Sequence, residues 1–537
     1  MDIIQTLAQQ LNLTAEQVGK TVQLIDEGNT IPFIARYRKE VTGSLDDSVL
    51  RTLDEKLTAL RNLAQRKQEV QDLIGAQGKL TEEVRAAIER AATVTEVDDI
   101  YRPYRPKRKT RASVARERGL EDLAILLFAQ EKSYTPSIEE QAARFVDPER
   151  EVPDVAAALQ GAMDIVAGGV SDNADYRREL RRLTFDAGSL TSKAAKEEDS
   201  VYAMYYDFSE PLRKLPGHRI LAINRGEKEE FLKVALTVPE DVVLGYLYNR
   251  VLSGNRSPAE PYVREAVTDA YNRLIAPSIE REIRNDLFDT ACEGAIKVFS
   301  DNLGHLLMQP PLKGKVVLGF DPGYAHGCKL AVVDPTGKVL DTAVVYPTIK
   351  LRAEEAARVV KRLIRNYAVD VVAIGNGTAS RESEAFIAGL LKQIEKPCKY
   401  IIVSEAGASI YSASQLAAEE FPDFDVMQRS AVSIARRLQD PLAELVKIDP
   451  KGIGIGQYQH DMKQARLDEA LGGVVESCVN AVGVDINTAS YSLLSYIAGI
   501  NQTAAKNIVK YREENGAFTT RGQVTKVPRI GSKAFQL

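Results

Sequence analysis

Three acidic residues stand next to apolar runs in the middle of the chain and have the chemistry of a phosphodiester-cleaving site. Asp321 ends the run VVLGFD, Glu405 follows YIIVS, and Asp440 opens DPLAELVKI. Enzymes that hydrolyse phosphodiesters with paired magnesium ions use several converging carboxylates as ligands. After the run VVAIG, where another acid is expected, the chain has Asn376, which is neutral and a poorer magnesium ligand. We therefore predict a vestigial acidic cluster with no catalytic residues and no bound metal.

The residues around Asp321 also predict the strands that would position this cluster. The run 315–347 has the pattern of three strands, with a tight-turn signal at 335–338 between the second and the third. A predicted helix over 351–367 connects this meander to the short strand VDVVAIGN, and a further strand begins at Tyr400. An acid at the end of the first strand, a meander and a βα pair form the layout of an RNase H-like domain.

Two of these acids also have a simple structural interpretation. Asp321 precedes Pro-Gly, which is a common turn, and Asp440 precedes Pro441, which is the pattern of a helix N-cap. A working metal-dependent nuclease stays open as an alternative. The missing acid at Asn376 favours a retained fold that binds without cutting.

The last fifty residues predict two helix-hairpin-helix units in tandem. Such hairpins bind backbone phosphates, because a tightly turning glycine lets the next helix direct free N–H groups at the phosphate. From Asp485 onwards the chain has seven lysines and arginines against three acids, which favours phosphate contact. Each hairpin departs from Gly-x-Gly at one position, at Asn501 in the first and at Arg529 in the second. Paired hairpins that only pack helices are the alternative. The predicted phosphate-binding residues are Gly499, Ile500 and Lys506 in the first unit, and Gly531, Ser532 and Lys533 in the second.

A second basic segment covers residues 101–119, with eight lysines and arginines, one glutamate and two tyrosines. Pro103 and Pro106 hold its start extended, so that the cations project from a loop. Clustered arginine with tyrosine is suited to phosphate contact and base stacking. A solvated loop, or a loop docked on acidic helices of the same protein, explains the pattern equally well. The predicted contacts here are Arg105, Lys107, Arg108, Lys109 and Arg111.

Composition limits the other possibilities. The 537 residues carry a formal charge of −5, with no apolar run as long as a membrane span and no signal-peptide pattern. Four scattered cysteines lack zinc spacing, which fits a reducing cytoplasm. The glycines at 452–456 lack the context of a dinucleotide fingerprint, and no Walker A motif is present, so we expect no cofactor.

Patterning along the chain predicts a multidomain protein that is mainly α-helical, with one α/β domain. Residues 1–310 have almost entirely helical periodicity, except that 218–238 has the pattern of short strands. We place domain boundaries so that the segments are 1–195, 196–312, 313–448 and 449–537. The chain ends at Leu537 in what should be the first turns of a helix, which indicates a fragment.

These pieces, in this order, resemble the Tex family of bacterial transcription accessory proteins. The resemblance covers nearly the whole chain, and its most specific segments are NTIPFIARYRKEVTGSLDD, EVDDIYRPYRPKRKTRASVARERGLE, GHRILAINRGEKEEFLKV, GFDPGYAHGCKLAVVD, SEAGASIYSAS and DPKGIGIGQYQHDM. It implies an elongated helical scaffold with a helix-turn-helix-like part, a YqgF-type RNase H-like domain and tandem helix-hairpin-helix units. It also implies a C-terminal OB-fold RNA-binding domain, which would follow Leu537.

Together, the residues and the resemblance predict a cytoplasmic, monomeric scaffold that binds DNA or RNA with little sequence preference and assists transcription. Its RNase H-like domain is expected not to cut. Two alternatives stay open: an active nuclease, and a protein-interaction module that docks on RNA polymerase. No contact with a membrane is expected.

Overall fold

The computed structural model describes residues 2–106, 109–196, 198–395, 397–487, 489–497 and 499–536, without the side chains of residues 32, 36, 513, 533 and 536. The chain forms two compact units. The first comprises Met1–Gly28 with Glu40–Gly294, and the second comprises Asn29–Lys39 with Ala295–Leu537. Along the described stretches, no helix is both long enough and apolar enough to span a bilayer.

Helices dominate the part of the chain before the larger sheet, as predicted, and Thr14 begins one of them with a capping box. They are α1 (Ile3–Leu11), α2 (Ala15–Asp26), α3 (Ile31–Tyr37), α4 (Lys39–Thr42), α5 (Asp47–Gly75), α6 (Glu82–Arg90), α7 (Val94–Tyr101), α8 (Arg111–Glu117), α9 (Glu121–Ala129), α10 (Ile138–Ala142), α11 (Val155–Asp172), α12 (Ala174–Ala187), α13 (Gly217–Lys228), α14 (Glu240–Val251), α15 (Glu260–Asp269) and α16 (Ala276–Leu307).

Short helical turns and the later helices complete the α-helical part. The later helices are α17 (Ala353–Asn366), α18 (Ser380–Leu391), α19 (Ala408–Ser412), α20 (Gln415–Glu420), α21 (Val426–Gln439), α22 (Pro441–Leu445), α23 (Gln464–Val482), α24 (Tyr491–Leu494), α25 (Gln502–Asn515) and α26 (Ser532–Gln536). A π-helical segment, Ala270–Ile275, connects α15 to α16. Turns of 3-10 helix occupy Arg102–Tyr104, Ala143–Phe145, Pro148–Arg150, Ala203–Tyr205, Leu212–Lys214, Lys350–Arg352, Pro450–Ile453 and Arg521–Lys526.

A three-stranded antiparallel sheet interrupts the predicted helical region. Its strands are β1 (Ser189–Ala194), β2 (Asp207–Pro211) and β3 (Leu232–Thr237), in the order β2-β1-β3. The sequence indicated strands only within 218–238, most of which forms α13, with β3 at its end. Strands of five or six residues give too few alternations to stand out in a helical background. The predicted boundary at 195/196 falls between β1 and its two partners.

The second sheet has five strands in the order β6-β5-β4-β7-β8. The strands are β4 (Val317–Asp321), β5 (Cys328–Val333), β6 (Val339–Val345), β7 (Val371–Gly375) and β8 (Lys399–Val403). β4, β5 and β6 form the predicted antiparallel meander, and β7 and β8 extend the sheet in parallel with β4.

Two cores cover the faces of this sheet. Leu318 and Phe320 face the α17 side, while Val317 and Ala331 pack against α21. Gly319 brings α21 unusually near, because a Cβ at this position would lie 2.1 Å from the carbonyl oxygen of Ala431. This close contact fixes α21 across the end of β4.

Candidate functional site

The carboxyl ends of three parallel strands bring three of the predicted cluster residues together. Asp321 ends β4, Asn376 follows β7, and Glu405 follows β8 by two residues. The backbone N–H of Glu405 donates a hydrogen bond to Asn376 Oδ1 at 3.0 Å. The amide that replaces the expected acid therefore positions the loop that carries Glu405.

Two glycines form the space in which the Glu405 carboxylate lies. A Cβ at Gly375 would stand 2.6 Å from Glu405 Oε2, and a Cβ at Gly377 would stand 1.5 Å from Oε1. Neither position tolerates a side chain while Glu405 keeps this conformation. Sequence reasoning did not identify these glycines, although the Gly-Asn-Gly spacing directly after a strand was a signal that could have found them.

Two buried cations lie beside the carboxylates, and sequence reasoning missed both. Lys329, 8% exposed, stands opposite Asp321 in the pairing of β4 with β5. Arg437 on α21 is 4% exposed, and its Nη1 donates to the carbonyl oxygens of Ser404 (2.9 Å) and Ala406 (2.7 Å). The cluster therefore contains positive as well as negative charges, and each cation opposes the charge of a nearby carboxylate.

Burial sets the protonation behaviour of the two carboxyl groups. It raises the pKa of Asp321, against the opposing hydrogen bond from Ser430 and the charge of Lys329. Burial also raises the pKa of Glu405, and the charge of Asp321 raises it further, while Arg437 acts in the opposite direction. Both groups therefore ionise less readily than exposed carboxyls do.

Asp440 does not join this cluster. Its Oδ1 accepts a hydrogen bond from the N–H of Ala443 at 3.1 Å, which makes it the N-cap of α22. Ser430, which contacts Asp321, precedes Asp440 by ten residues, and a helix rises about 1.5 Å per residue, so about 15 Å separates them along α21. Asp440 is therefore a helix N-cap, which is the structural interpretation that the Asp-Pro pattern offered.

The donor set does not fit a pair of magnesium ions. Two carboxylates and one amide stand at the strand ends with two protein cations, whereas a two-metal centre is held by several converging carboxylates. Within the described ranges, no group of three or more His, Cys, Asp or Glu side chains is placed to hold a metal ion.

The first C-terminal hairpin turns at Gly499, which has φ +81°. Asn501 has φ −80° and is the N-cap of α25, with its Oδ1 accepting from the N–H of Ala504 at 2.9 Å. Asn501 is therefore a capping residue, and its backbone is not in the left-handed conformation. Lys506 is exposed on the first turns of α25, with Nζ 5.0 Å from the centre of the Tyr491 ring. Ile500, partly buried, lies between the turn and the cap.

In the second hairpin, Arg529 occupies the position that Gly499 holds in the first. Its φ of +69° is left-handed, a conformation that costs a non-glycine residue about 1 kcal/mol. Gly531 and Ser532 follow it, and the side chain of Lys533 lies outside the described part. Asn507 of α25 donates through Nδ2 to the carbonyl oxygen of Pro528 at 2.9 Å, which joins the two hairpins.

The basic segment is only partly free for ligands. Arg105 Nη2 lies 3.6 Å from Asp98, and its guanidinium lies over the Tyr101 ring. Tyr101 is buried, so it is not available to stack on bases. Lys109 and Arg111 are exposed, and Lys107 and Arg108 lie outside the described residues.

Models of four protein families match the chain in succession. They are the Tex-like protein N-terminal domain over 1–75, the Tex central region over 133–299, the Tex protein YqgF-like domain over 315–439 and a helix-hairpin-helix motif over 479–537. The YqgF-like match coincides with the five-stranded sheet and α21, and the helix-hairpin-helix match contains both hairpins.

Curated relatives are similar along the full length of this chain. Protein tex of Bordetella pertussis is 46% identical over 99% of this chain and 69% of its own length. Transcriptional accessory protein Tex of Neisseria gonorrhoeae is 46% identical over 100% of this chain and 71% of its own. The human S1 RNA-binding domain-containing protein 1 is 39% identical over 100% of this chain and 55% of its own. The resemblance drawn from the sequence is confirmed, and the chain belongs to the Tex family.

Proposed function

We propose that this protein is a nucleic-acid-binding scaffold that assists transcription and whose RNase H-like domain does not cut. Its relatives include a protein named as a transcriptional accessory protein and one named for an S1 RNA-binding domain. The observation that carries the proposal is the C-terminal pair of hairpins. A left-handed turn precedes the capped start of α25, Lys506 projects beside it, and Asn507 holds the second hairpin alongside.

Binding by such hairpins is governed by phosphate. The first N–H groups of α25 have no partners within the helix and carry the positive end of its dipole, which suits an anion. A lysine next to them adds a charge whose contribution falls as salt rises. The bound nucleic acid is therefore contacted through its backbone, with little preference for sequence.

Lys506→Ala tests this proposal directly. Affinity for a short DNA or RNA duplex, measured by fluorescence anisotropy between low and moderate salt, should weaken, and the slope of log affinity against log salt should fall by about one. Lys392→Ala removes an equally exposed lysine at the end of α18 and is the matched control. A Lys506→Ala slope equal to that of Lys392→Ala would remove the first hairpin from the interface.

The proposed loss of cutting rests on the cations in the cleft. Lys329 and Arg437 stand beside Asp321 and Glu405 and oppose their negative charge, where a nuclease would use divalent ions. Incubating the protein with labelled RNA or DNA and Mg²⁺ or Mn²⁺, next to Asp321→Asn, tests this. We expect no difference between the two proteins. Cleavage that disappears in Asp321→Asn would establish the nuclease alternative.

We further propose that the protein acts as a monomer in the cytoplasm. The four cysteines are far apart in the sequence and lack zinc spacing, in agreement with a reducing compartment. Docking on RNA polymerase is compatible with a scaffold role and can be tested by a pull-down. Capture that survives nuclease treatment would support a direct protein contact.

A further inference from the structure

A cavity of about 320 Å³ opens in the first unit between the 3-10 turn at Arg102–Tyr104, α8, α11 and the π-helical segment. Its volume lies at the lower end of the range for small-molecule pockets, roughly 300–1,000 Å³. A space of this size holds one nucleotide-sized molecule.

Its described lining is rich in arginine. It contains Arg102, Arg105, Arg111 and Arg273 with two aspartates, Asp164 and Asp172. Asp98 and Asp269, outside the lining, pair with Arg105 and Arg273. Two of these arginines, Arg102 and Arg105, pair only loosely with acids. Arg102 Nε lies 3.7 Å from Asp172, and Arg105 Nη2 lies 3.6 Å from Asp98. Both separations exceed a hydrogen bond, so N–H donors remain for an anion.

The other two arginines are positioned differently. Arg111 is exposed and forms no hydrogen bond to any residue that the structure describes. Arg273 lies in the π-helical segment, and Asp269 fixes its orientation by accepting from its Nε at 2.9 Å. Isolated π-helical turns within α-helices occur often at functional sites, because the extra residue redirects a side chain.

Asp164 requires a ligand that also donates a hydrogen bond. Its Oδ1 is buried and accepts no hydrogen bond within the described structure, and the nearest cation, Arg273 Nη2, is 3.6 Å away. A buried acceptor without a donor is costly, and a ligand hydroxyl would satisfy it. Burial also raises the pKa of Asp164 and lowers the pKa of Arg102, so both groups gain from a polar ligand.

We propose that this cavity binds a phosphorylated ribose, with the arginines holding the phosphate and Asp164 accepting from a ribose hydroxyl. A carboxylate that accepts from ribose hydroxyls, next to donors for the phosphate, is a general solution for nucleotides. Nothing in the described lining selects a base. The ligand is a free ribonucleotide or the terminal nucleotide of an RNA, and in either case the site is separate in sequence from the hairpins proposed to hold the nucleic-acid backbone.

Calorimetric titration of the full chain with adenosine 5′-monophosphate, its 2′-deoxy form and adenosine tests both halves of the proposal. The monophosphate should bind at least about tenfold more tightly than adenosine, since charge-assisted hydrogen bonds to phosphate are lost in the nucleoside. It should also bind more tightly than the deoxy form. Equal affinity for the monophosphate and adenosine would overturn the proposal.

Variants assign the effect to the cavity. Arg105→Gln with Arg111→Gln should weaken monophosphate binding about tenfold or more. Arg85→Gln with Arg178→Gln removes two exposed arginines that make only local ion pairs and should leave it unchanged. Asp164→Asn, checked for folding by its thermal transition, should reduce the preference for ribose over deoxyribose. Unaltered binding in the Arg105 and Arg111 double variant would exclude this cavity.

A competition experiment separates the two sources of the ligand. A decaribonucleotide with a 5′-phosphate should displace labelled monophosphate better than the same RNA with a 5′-hydroxyl if RNA ends are bound. Equal displacement by both, with effective displacement by free monophosphate, identifies a free nucleotide. The Arg105→Gln and Arg111→Gln double variant should weaken monophosphate binding by the same factor whether residue 506 is lysine or alanine, because the cavity does not depend on the hairpins.

Discussion

Each of the two units buries a cluster of cations and carboxylates, and the clusters differ in how fully their charges are paired. In the first unit, Arg177 and Arg181 hold Asp99 and Glu282. Arg177 Nε donates to Asp99 at 2.7 Å and its Nη2 donates to Glu282 at 2.8 Å. Arg181 Nη2 donates to the same two acids, at 2.8 and 2.7 Å. Each acid is thereby shared by two arginines.

In the second unit, the cluster around Glu405 is paired less completely. Glu405 Oε2 and the Nε and Nη2 of Arg437 are buried without hydrogen-bond partners among the described residues. In the first cluster, one buried atom, Arg177 Nη1, has no hydrogen-bond partner among the described residues.

Two glutamates show the consequence of this difference. Burial acts to raise the pKa of both. The hydrogen bond from Arg181 and the two arginine charges hold the pKa of Glu282 below its usual value, whereas Glu405, beside Asp321, is shifted upward. Burial alone therefore does not decide the direction of a shift, and completeness of pairing does. The first cluster has the properties of a structural brace, whereas the second keeps several buried polar atoms without partners among the described residues.

The largest expected effect comes from Arg177→Met. Arg177 is fully buried, and its loss leaves Asp99 and Glu282 with one arginine, so the free energy of unfolding should fall by about 3–5 kcal/mol. Urea denaturation of the full chain measures it. Arg178→Met, one residue away and 61% exposed, should change stability by less than about 0.5 kcal/mol. Similar losses for both variants would show that the network is not the brace described above.

Arg437→Met should have a smaller effect, about 1–3 kcal/mol, although Arg437 is almost as deeply buried. It removes two hydrogen bonds to backbone carbonyls, but its buried neighbour Glu444 keeps an ion pair with Lys447 at 2.9 Å. The same denaturation assay applies. A loss equal to that of Arg177→Met would remove the distinction between the two clusters.

The sequence was sufficient for the sheet that carries the second cluster but not for the cluster itself. The β4–β6 meander, the crossover to β7 and the long helix α16 follow from local periodicity, strand-length apolar runs and turn residues. Asp321, Asn376 and Glu405 each stand at or just after the end of an apolar run, and because these runs form parallel strands, the three residues meet at one edge of the sheet. The position of Asp440 depends on the path of α21 over Gly319, a tertiary contact that no local pattern encodes.

The sequence also could not predict which distant charged residues lie close together in the fold. Strand register places Lys329 opposite Asp321. Packing of α21 brings the charge of Arg437 near Glu405. In the first unit, Arg177 and Asp99 are 78 residues apart in the chain. In the sequence, these arginines look like ordinary surface residues of an amphipathic helix, because charged side chains are usually exposed.

The smallest expected effect is the pH dependence of Glu405→Gln. Because the pKa of Glu405 is raised on folding, the folded state binds more protons than the unfolded state between the ordinary value of 4.5 and the raised value. Wild-type stability therefore loses the contribution of this group as pH rises through that window. Glu405→Gln lacks the titration, so its unfolding free energy relative to wild type should increase from pH 4 to pH 7. Urea denaturation at four pH values measures this, with the exposed Glu419→Gln as control. A difference that is constant with pH, or that declines, would mean that Arg437 pairs with Glu405 as fully as Arg181 pairs with Glu282.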